Sequence, residues 1–297
     1  MKKGKLNIVL LKGGISAERE VSLKTGAAVA EALRGLGHEV KEIDVQSTQL
    51  DLPENIDFVF VALHGTFGED GEVQKILIAK KLRFNGCGVE GCRRSWDKME
   101  SKKLFKAAGV PTPEGGVWTE DMKREFPYIL KPQAQGSSVG VYRVFNENDL
   151  EETKKGIRQL SMPMMIEKMI IGRELTVGIL GDEALPVIEI RPKEGFYDYA
   201  NKYTAGRTEY LCPAPISEEL EKKIRAVALK AHRALGCEVY SRVDVILDEK
   251  ENAFVLEVNT IPGMTALSLL PKAARVRGLE FPQLCQRIIE LSWELKR

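Results

Sequence analysis

A chain of 297 residues is long enough to bury a large core, in about two domains by length alone, without disulfide or metal staples. Its 44 basic and 43 acidic side chains leave a formal charge of +1, which argues against a protein held on nucleic acid by a bulk positive field. With 43% hydrophobic and 29% charged residues the composition is that of a globular protein rather than a disordered one, and no apolar run nears the roughly 18 residues of a membrane helix.

The chain opens with the basic stretch Met1-Lys2-Lys3-Gly4-Lys5. The apolar piece that follows, Ile8 to Leu11, is too short for a signal-peptide core and is closed by Lys12-Gly13-Gly14, so the expected location is the cytoplasm. Leu6 to Leu11 reads as a buried strand. Helical spacing of Val21, Ala28, Val29, Ala32, Leu33 and Leu36 predicts a helix from about Glu18 to Leu36, ended by Gly37. His38 to Val45 and Asp57 to Leu63 read as two more strands. This βαβ rhythm predicts a parallel sheet with helices on both faces.

Asp97 to Ala108 predicts a helix stopped by Gly109 and Val-Pro-Thr-Pro. A strand (Tyr128–Lys131), a small-residue loop (Gln133–Gly140), a strand (Val141–Val144), a helix (about Asn148–Leu160) and a strand (Met164–Met169) then form a small α+β unit. Domain boundaries are placed near residues 95 and 172, giving units 1–95, 96–172 and 173–297. The last unit starts with a strand, Glu174–Leu180. The stretch from Lys193 to Tyr210 lacks apolar periodicity and reads as a long functional loop. A helix from about Ser217 to Leu235, two strands (Glu238–Leu247 and Ala253–Val258) and two closing helices complete the chain. Cys87, Cys92, Cys212, Cys237 and Cys285 form no CxxC pair and read as reduced, mostly packed thiols.

Four constellations stand out. In Arg242-Val243-Asp244 and Glu257-Val258-Asn259 the polar residues alternate with apolar ones, as on a half-buried strand. A hairpin centred on Lys250-Glu251 would set Asp244 opposite Glu257 and Arg242 opposite Asn259, with Val243, Val245, Leu256 and Val258 toward the core. Facing carboxylates repel, and a hard divalent cation such as Mg²⁺ would relieve that; a solvated polar face with Arg242 bridging both acids is the alternative. The second constellation runs from Lys131 to Gly140 and would cradle phosphate with backbone N–H groups, or else be a plain flexible hairpin. It is not a Walker A loop. The third, Gly13 to Glu20, ends the first strand where ligands bind in open α/β sheets, although Glu18 and Glu20 there would also suit a helix dipole alone. It lacks GxGxxG. The fourth, His64 to Gly71, follows the third strand at the same edge. His38 and His232 read as ordinary surface or helix positions.

Six runs occur in order: Gly-Gly-Ile-Ser-Ala-Glu-Arg-Glu-Val-Ser (13–22), His-Gly-Thr-Phe-Gly-Glu-Asp-Gly (64–71), Gly-Ser-Ser-Val-Gly (136–140), Phe-Tyr-Asp-Tyr-Ala-Asn-Lys-Tyr (196–203), Arg-Val-Asp (242–244) and Glu-Val-Asn-Thr-Ile-Pro-Gly-Met-Thr (257–265). Together they closely resemble the D-alanine–D-alanine ligases of the ATP-grasp class. The resemblance implies a three-domain α/β and α+β ATP-grasp fold with an N-terminal Rossmann-like parallel sheet. It implies that ATP phosphorylates one D-alanine, that a second D-alanine's amine attacks the D-alanyl phosphate, and that the dipeptide feeds peptidoglycan precursors. Glu18, Ser137 and Tyr203 would form a hydrogen-bonded triad at the first D-alanine, with His64 beside it. Lys98, Lys131 and Lys202 would hold phosphates. Glu167, Lys168, Met169 and Ile170 would receive adenine, and Glu174 the ribose. Asp244, Glu257 and Asn259 would bind two Mg²⁺, with Mn²⁺ able to substitute. Arg242 and the Gly263 N–H would stabilise the tetrahedral oxyanion, and Ser268 would take the second substrate's carboxylate. The stretch 193–210 would be a lid, and the partner a second copy of the chain.

Two departures are visible. Gln133-Ala134-Gln135 stands where many relatives carry a charge, which touches loop closure. Leu267 stands where some carry His, which touches the second-substrate pocket. Joining D-alanine to D-lactate or D-serine is a same-fold alternative, and a non-catalytic nucleotide-binding module is an alternative of another class.

Overall fold

A computed structural model describes residues 4–122, 124–137, 139–193 and 206–296. The expected Lys202 and Tyr203, and most of the proposed lid, lie outside the described residues.

The first sheet is parallel, in the order β2-β1-β3, from β1 (Asn7–Gly13), β2 (Glu39–Val45) and β3 (Phe58–Val61). Helix α1 (Arg19–Gly35) joins the first two strands, as the βαβ pattern predicts. Alternation along β1 divides the core into two layers. Ile8 and Leu10 share one with Val29 and Leu33 of α1, while Val9 and Leu11 share the other with Val73, Leu77 and Phe84. The second layer comes from α2 (Glu72–Ala79), a helix too short to stand out as a periodic pattern. Another short helix, α3 (Val89–Trp96), was likewise not expected. The buried face of α1 also differs from expectation. It runs through Ser22, Thr25, Gly26, Val29, Ala30, Ala32 and Leu33, while Val21 and Ala28 are half-buried and Leu36 is exposed. Ser22 can be buried because its hydroxyl donates to the Ala62 carbonyl at 2.7 Å.

Helix α4 (Lys98–Ala108) begins at Asp97, whose carboxylate accepts from the Met99 and Glu100 N–H groups at 2.9 and 3.0 Å. Gly109 ends it in the left-handed conformation. The second sheet is antiparallel, in the order β4-β7-β5-β6. It comprises β4 (Gly115–Val117), β5 (Tyr128–Pro132), β6 (Tyr142–Val144) and β7 (Met164–Lys168), with α5 (Glu147–Leu160) packed on β6. The third sheet has six strands: β8 (Gly172–Leu180), β9 (Glu183–Ala184), β10 (Ile188–Pro192), β11 (Thr208–Leu211), β12 (Tyr240–Asp248) and β13 (Ala253–Asn259). Its main path is β11-β10-β8-β12-β13, with β9 on β8. β11 corrects one expectation: the end of the presumed loop 193–210 is a strand, paired antiparallel with β10. Helix α6 (Glu218–Ala234) covers one face of this sheet, with Ser217 capping it through the Leu220 N–H at 3.2 Å.

The last two helices, α7 (Leu269–Val276) and α8 (Phe281–Glu294), do not stay with the third sheet alone. Leu284, Ile288 and Ile289 of α8 enter the same core as Ile8, Leu10, Phe58 and Phe60. Trp293 stacks on Phe58 with 6.2 Å between ring centroids, and the Arg83 guanidinium lies 4.9 Å from the Trp293 ring centre. Part of one helical layer over the first sheet thus comes from the far end of the chain. Cys87, Cys92, Cys237 and Cys285 are buried as free thiols, and Cys212 is partly buried. His232 holds a helix position, as expected, on the buried face of α6, with its Nδ1 2.7 Å from the Ser241 hydroxyl.

Candidate active site

The second and third sheets face each other across a cleft of about 310 Å³. Pairing between β12 and β13 sets one wall. Asp244 lies opposite Glu257 and Arg242 opposite Asn259, the register expected from a turn centred on Lys250-Glu251. A β-bulge then shifts the pairing, so Val245 meets Val255 rather than Leu256. Val255 goes into the core and Leu256 turns to line the cleft, which corrects the core assignment of Leu256. The bulge places an apolar side chain and the Glu257 carboxylate on the same wall.

On the other side of β12, Thr176 of β8 is in register with Asp244. Its hydroxyl donates to Asp244 Oδ1 at 2.7 Å. Arg242 grips the same carboxylate with two bonds, Nε to Oδ1 at 2.9 Å and an Nη to Oδ2 at 2.7 Å. Asn259 adds its amide N–H at 3.1 Å. Lys98, at the start of α4, lies 3.5 Å from a Glu257 oxygen and donates to the Gln135 carbonyl at 2.7 Å. Burial pulls the Lys98 ammonium below its ordinary value, Glu257 opposes that, and Lys131 adds to it.

Opposite this wall, Glu167 of β7 is nearly buried between two ammonium groups. Lys131 lies 2.6 Å from one carboxylate oxygen and Lys102 2.5 Å from the other. Burial pushes the Glu167 carboxyl upward, but the two lysines outweigh it and hold it below the usual range. Lys102 sits one helical turn from Lys98, so both reach the same end of the cleft. Ile129, Lys168, Met169, Ile170 and Glu174 complete the far end, where apolar surface meets a carboxylate. The Lys168 N–H is already given to the Glu114 carbonyl at 2.7 Å.

A second cluster gathers at the carboxyl end of the first sheet. Glu18 immediately precedes α1, and Ser137 from the loop after β5 donates its hydroxyl to Glu18 Oε1. Glycine makes this approach possible. A Cβ on Gly136 would sit 2.6 Å from Glu18 Oε2, and one on Gly65 would sit 2.9 Å from it. Ser16 donates to the His64 carbonyl at 2.6 Å and accepts from the Glu18 N–H at 3.1 Å. His64 is buried, with Nε2 3.0 Å from the Thr25 hydroxyl. Burial, the Ile261 backbone and Arg242 together leave its imidazole titrating at about 4. Gly263 and Ser268 are adjacent: a Cβ on Gly263 would meet Ser268 Oγ at 3.1 Å. Ser268 immediately precedes α7, and its Oγ lies 2.9 Å from the Thr265 hydroxyl rather than bonding the helix's own N–H groups.

The described candidates therefore collect in three places. Lys98, Lys131, Glu167, Lys168, Ile170, Glu174, Asp244 and Glu257 line the cleft, with Arg242 and Asn259 bonded to Asp244 at its inner end. Glu18, Ser137 and His64 meet at the edge of the first sheet, while Gly263 and Ser268 pair on the loop beyond β13. Sequence reasoning passed over Thr176, Lys102 and Thr25, and singled out Glu69 only as part of the run 64–71. Alternation from Glu174 along β8 would have found Thr176, and helical spacing from Lys98 would have found Lys102.

Two antiparallel sheets closing on an acidic, lysine-lined cleft, beside a parallel sheet whose edge supplies a second cluster, define an ATP-grasp architecture. The chain matches the models described as "D-ala D-ala ligase C-terminus" over residues 105–290 and "D-ala D-ala ligase N-terminus" over residues 39–87. It is 45% identical over 289 residues to the D-alanine–D-alanine ligase of Methylacidiphilum infernorum, covering 97% of this chain and 95% of that one. The D-alanine–D-alanine ligase of Bacillus anthracis complexed with ATP superposes with a TM-score of 0.85 at 31% identity, covering 97% of each chain. VanG D-Ala:D-Ser ligase of Enterococcus faecalis superposes with a TM-score of 0.85 at 27% identity, covering 97% of this chain and all of that one. The chain belongs to the D-alanine–D-alanine ligase family.

Proposed function

We propose that this protein joins two D-alanines to D-alanyl-D-alanine, consuming ATP and releasing ADP and phosphate, for peptidoglycan precursors. The observation that carries this reading is the cleft wall itself, the Thr176–Asp244–Glu257 row with Arg242 and Asn259 two register positions away on the same face. A carboxylate is a poor electrophile because its oxygen leaves badly. Transfer of the γ-phosphoryl of ATP to the first D-alanine's carboxylate makes an acyl phosphate. The second D-alanine's amine then attacks, the tetrahedral centre collapses, and phosphate departs. The chain supplies position and charge for these steps.

Lys98 and Lys131 stand where phosphates would lie, together with Lys202 by resemblance. Glu167, Lys168, Met169, Ile170 and Glu174 form the nucleoside end. Glu18 and Ser137, with Tyr203 by resemblance, take the first D-alanine's ammonium. Arg242, already aligned by its two bonds to Asp244, and the Gly263 N–H face the oxyanion. Ser268, at the start of α7, takes the second carboxylate, which a helix N-terminus favours. The facing carboxylates of Asp244 and Glu257, with the Asn259 amide, fit the oxygen chemistry of Mg²⁺ or Mn²⁺. Two such ions held there would neutralise triphosphate charge. The units 1–95, 96–172 and 173–297 correspond to substrate, central nucleotide and catalytic modules in this reading. A homodimer in the cytoplasm accords with the family resemblance, and among the described residues no helix is long and apolar enough to cross a membrane.

The test is phosphate release from ATP with D-alanine, D-lactate and D-serine supplied together, followed by product analysis across pH. Release that requires D-alanine and Mg²⁺, with the dipeptide dominant, is expected. A dominant ester or mixed D-alanyl-D-serine product would transfer the assignment to a sister activity. ATP binding without D-alanine-dependent release would leave only a nucleotide-binding module.

A further inference from the structure

Lys102 has no part in the chemistry above, yet its ammonium is fully committed inside the fold. It donates to the Thr112 hydroxyl at 3.0 Å and to the Pro113 carbonyl at 2.5 Å, both on the connection from α4 to β4. Glu167 Oε1 lies 2.5 Å away on a third side. Three acceptors thus surround an ammonium with three protons, and none is left for a ligand. The Glu167 contact is an ion pair. Oε1 is buried and has no aligned hydrogen-bond donor among the described residues, so the Lys102 charge is what offsets its burial.

Glu167 and Lys131 line the cleft, whereas Lys102 meets it only through Glu167 and is not among the lining residues. The side chains of Lys102, Lys131 and Glu167 are 11%, 9% and 3% exposed, so the three charges are poorly screened. The charged groups that act on Glu167 are Lys102 and Lys98 from α4 and Lys131 from β5; β4 presents Gly115 in register with it. Two ammonium groups on one carboxylate leave a surplus positive charge beside the cleft. When Lys131 turns to a phosphate oxygen, it must let go of Glu167 Oε2, 2.6 Å away. With no second cation, that exchange would strand a buried carboxylate, which is strongly unfavourable. Lys102 on the other oxygen removes the penalty.

We propose that Lys102 is a positioning residue that keeps Glu167 ionised and in place, so that Lys131 can exchange this carboxylate for a phosphate of the nucleotide. The inference rests on the nucleotide reading of the cleft given above.

The experiment compares Lys102→Met, Lys102→Gln and Lys102→Arg with the parent enzyme. ATP and adenosine affinities are measured by calorimetry across pH, in buffers of different ionisation heat, so that protons taken up on binding are counted. Lys102→Met is expected to weaken ATP binding about 10-fold or more while adenosine, which has no phosphate for Lys131, stays within about twofold. At neutral pH the variant should also take up about one more proton than the parent on binding ATP, because Glu167 left without a cation protonates. Its ATP deficit should therefore shrink as pH falls. Lys102→Arg, which keeps the charge, should restore most of the ATP affinity and abolish the extra proton. Equal losses for ATP and adenosine, with no extra proton, would overturn the proposal and leave Lys102 as a prop for the α4–β4 connection. Unchanged ATP affinity and proton count would also overturn it. If Lys102→Met fails to fold, Lys102→Gln, which keeps an N–H donor for that connection, decides by the same criteria. Failure of the parent to bind ATP would count against the nucleotide reading instead, and is seen before any variant is made.

Discussion

His64 and Glu69 are buried titratable groups with opposite effects on stability. His64 titrates at about 4 in the fold, against a usual 6.5, so the unfolded chain takes up the proton first. Its contribution is complete above pH 6.5 and is lost as pH falls through 4, a span of about 3 kcal/mol. Burial and the neighbouring Glu18 raise Glu69 from 4.5 to about 8, while the Gly65 and Ile261 N–H groups and Arg242 oppose them. Its contribution is complete below pH 4.5 and is lost as pH rises through 8. Urea unfolding at stepped pH should show His64→Asn flattening the acid limb between 6.5 and 4, and Glu69→Gln flattening the decline between 6.5 and 8. An acid limb unchanged in His64→Asn would place that proton uptake elsewhere, for example at His232. Glu257→Gln should cut Mg²⁺-dependent turnover by about 100-fold or more while moving the melting midpoint by only a few degrees, since Glu257 is half-buried at the cleft. A collapsed midpoint with normal turnover of the folded fraction would contradict it. Asp244 and Glu257 were legible because charged residues alternate with apolar ones along their strands, and Glu18 because it stands at the start of a helix. Glu69 and Thr25 were not, because their partners are backbone and ring atoms from other segments, and such bonds leave no spacing in the sequence.

Elements were legible where local chemistry governs them. Asp97 and Gly109 bracket α4, and the short polar connection between two alternating strands fixed the start of the β12–β13 register. They were illegible where tertiary contacts decide. β4, β10 and β11 take their form from their sheet neighbours, and α2 from the core beneath it. The bulge near Leu256 is the clearest case, since nothing in Phe-Val-Leu-Glu marks which apolar residue turns outward. Its consequence is testable: Leu256→Ala should raise KM for ATP several-fold by removing cleft wall while leaving the core and melting midpoint nearly intact. The converse, with Val255→Ala costing stability but not ATP affinity, follows from its complete burial; Val255 losing ATP and Leu256 losing stability would reverse the assignment. Gly136→Ala tests the loop that reaches Glu18. Its Cβ would sit 2.6 Å from a Glu18 oxygen, so KM for the first D-alanine should rise while ATP affinity changes little.

At the scale of the whole molecule, the order of elements in sequence misleads about how they are sealed. The apolar face of α8 was readable as a helix, but its destination against β1 and β3 was not, because periodicity says that a face must be covered and not by what. Ile288→Ala, a change in the last helix, should cost about 2–5 kcal/mol and weaken hydrogen-exchange protection in β1 at the other end of the chain. Protection lost only in α8 would show that the first sheet stands without it. The same arrangement bears on biosynthesis. A ribosome making this polypeptide releases its opening strand on the order of tens of seconds before the piece that finally shields it. Until that helix has been made and released, the oily surface stays open to water and neighbours, so a nascent product stalled or clipped before it is a natural client for chaperones and proteases.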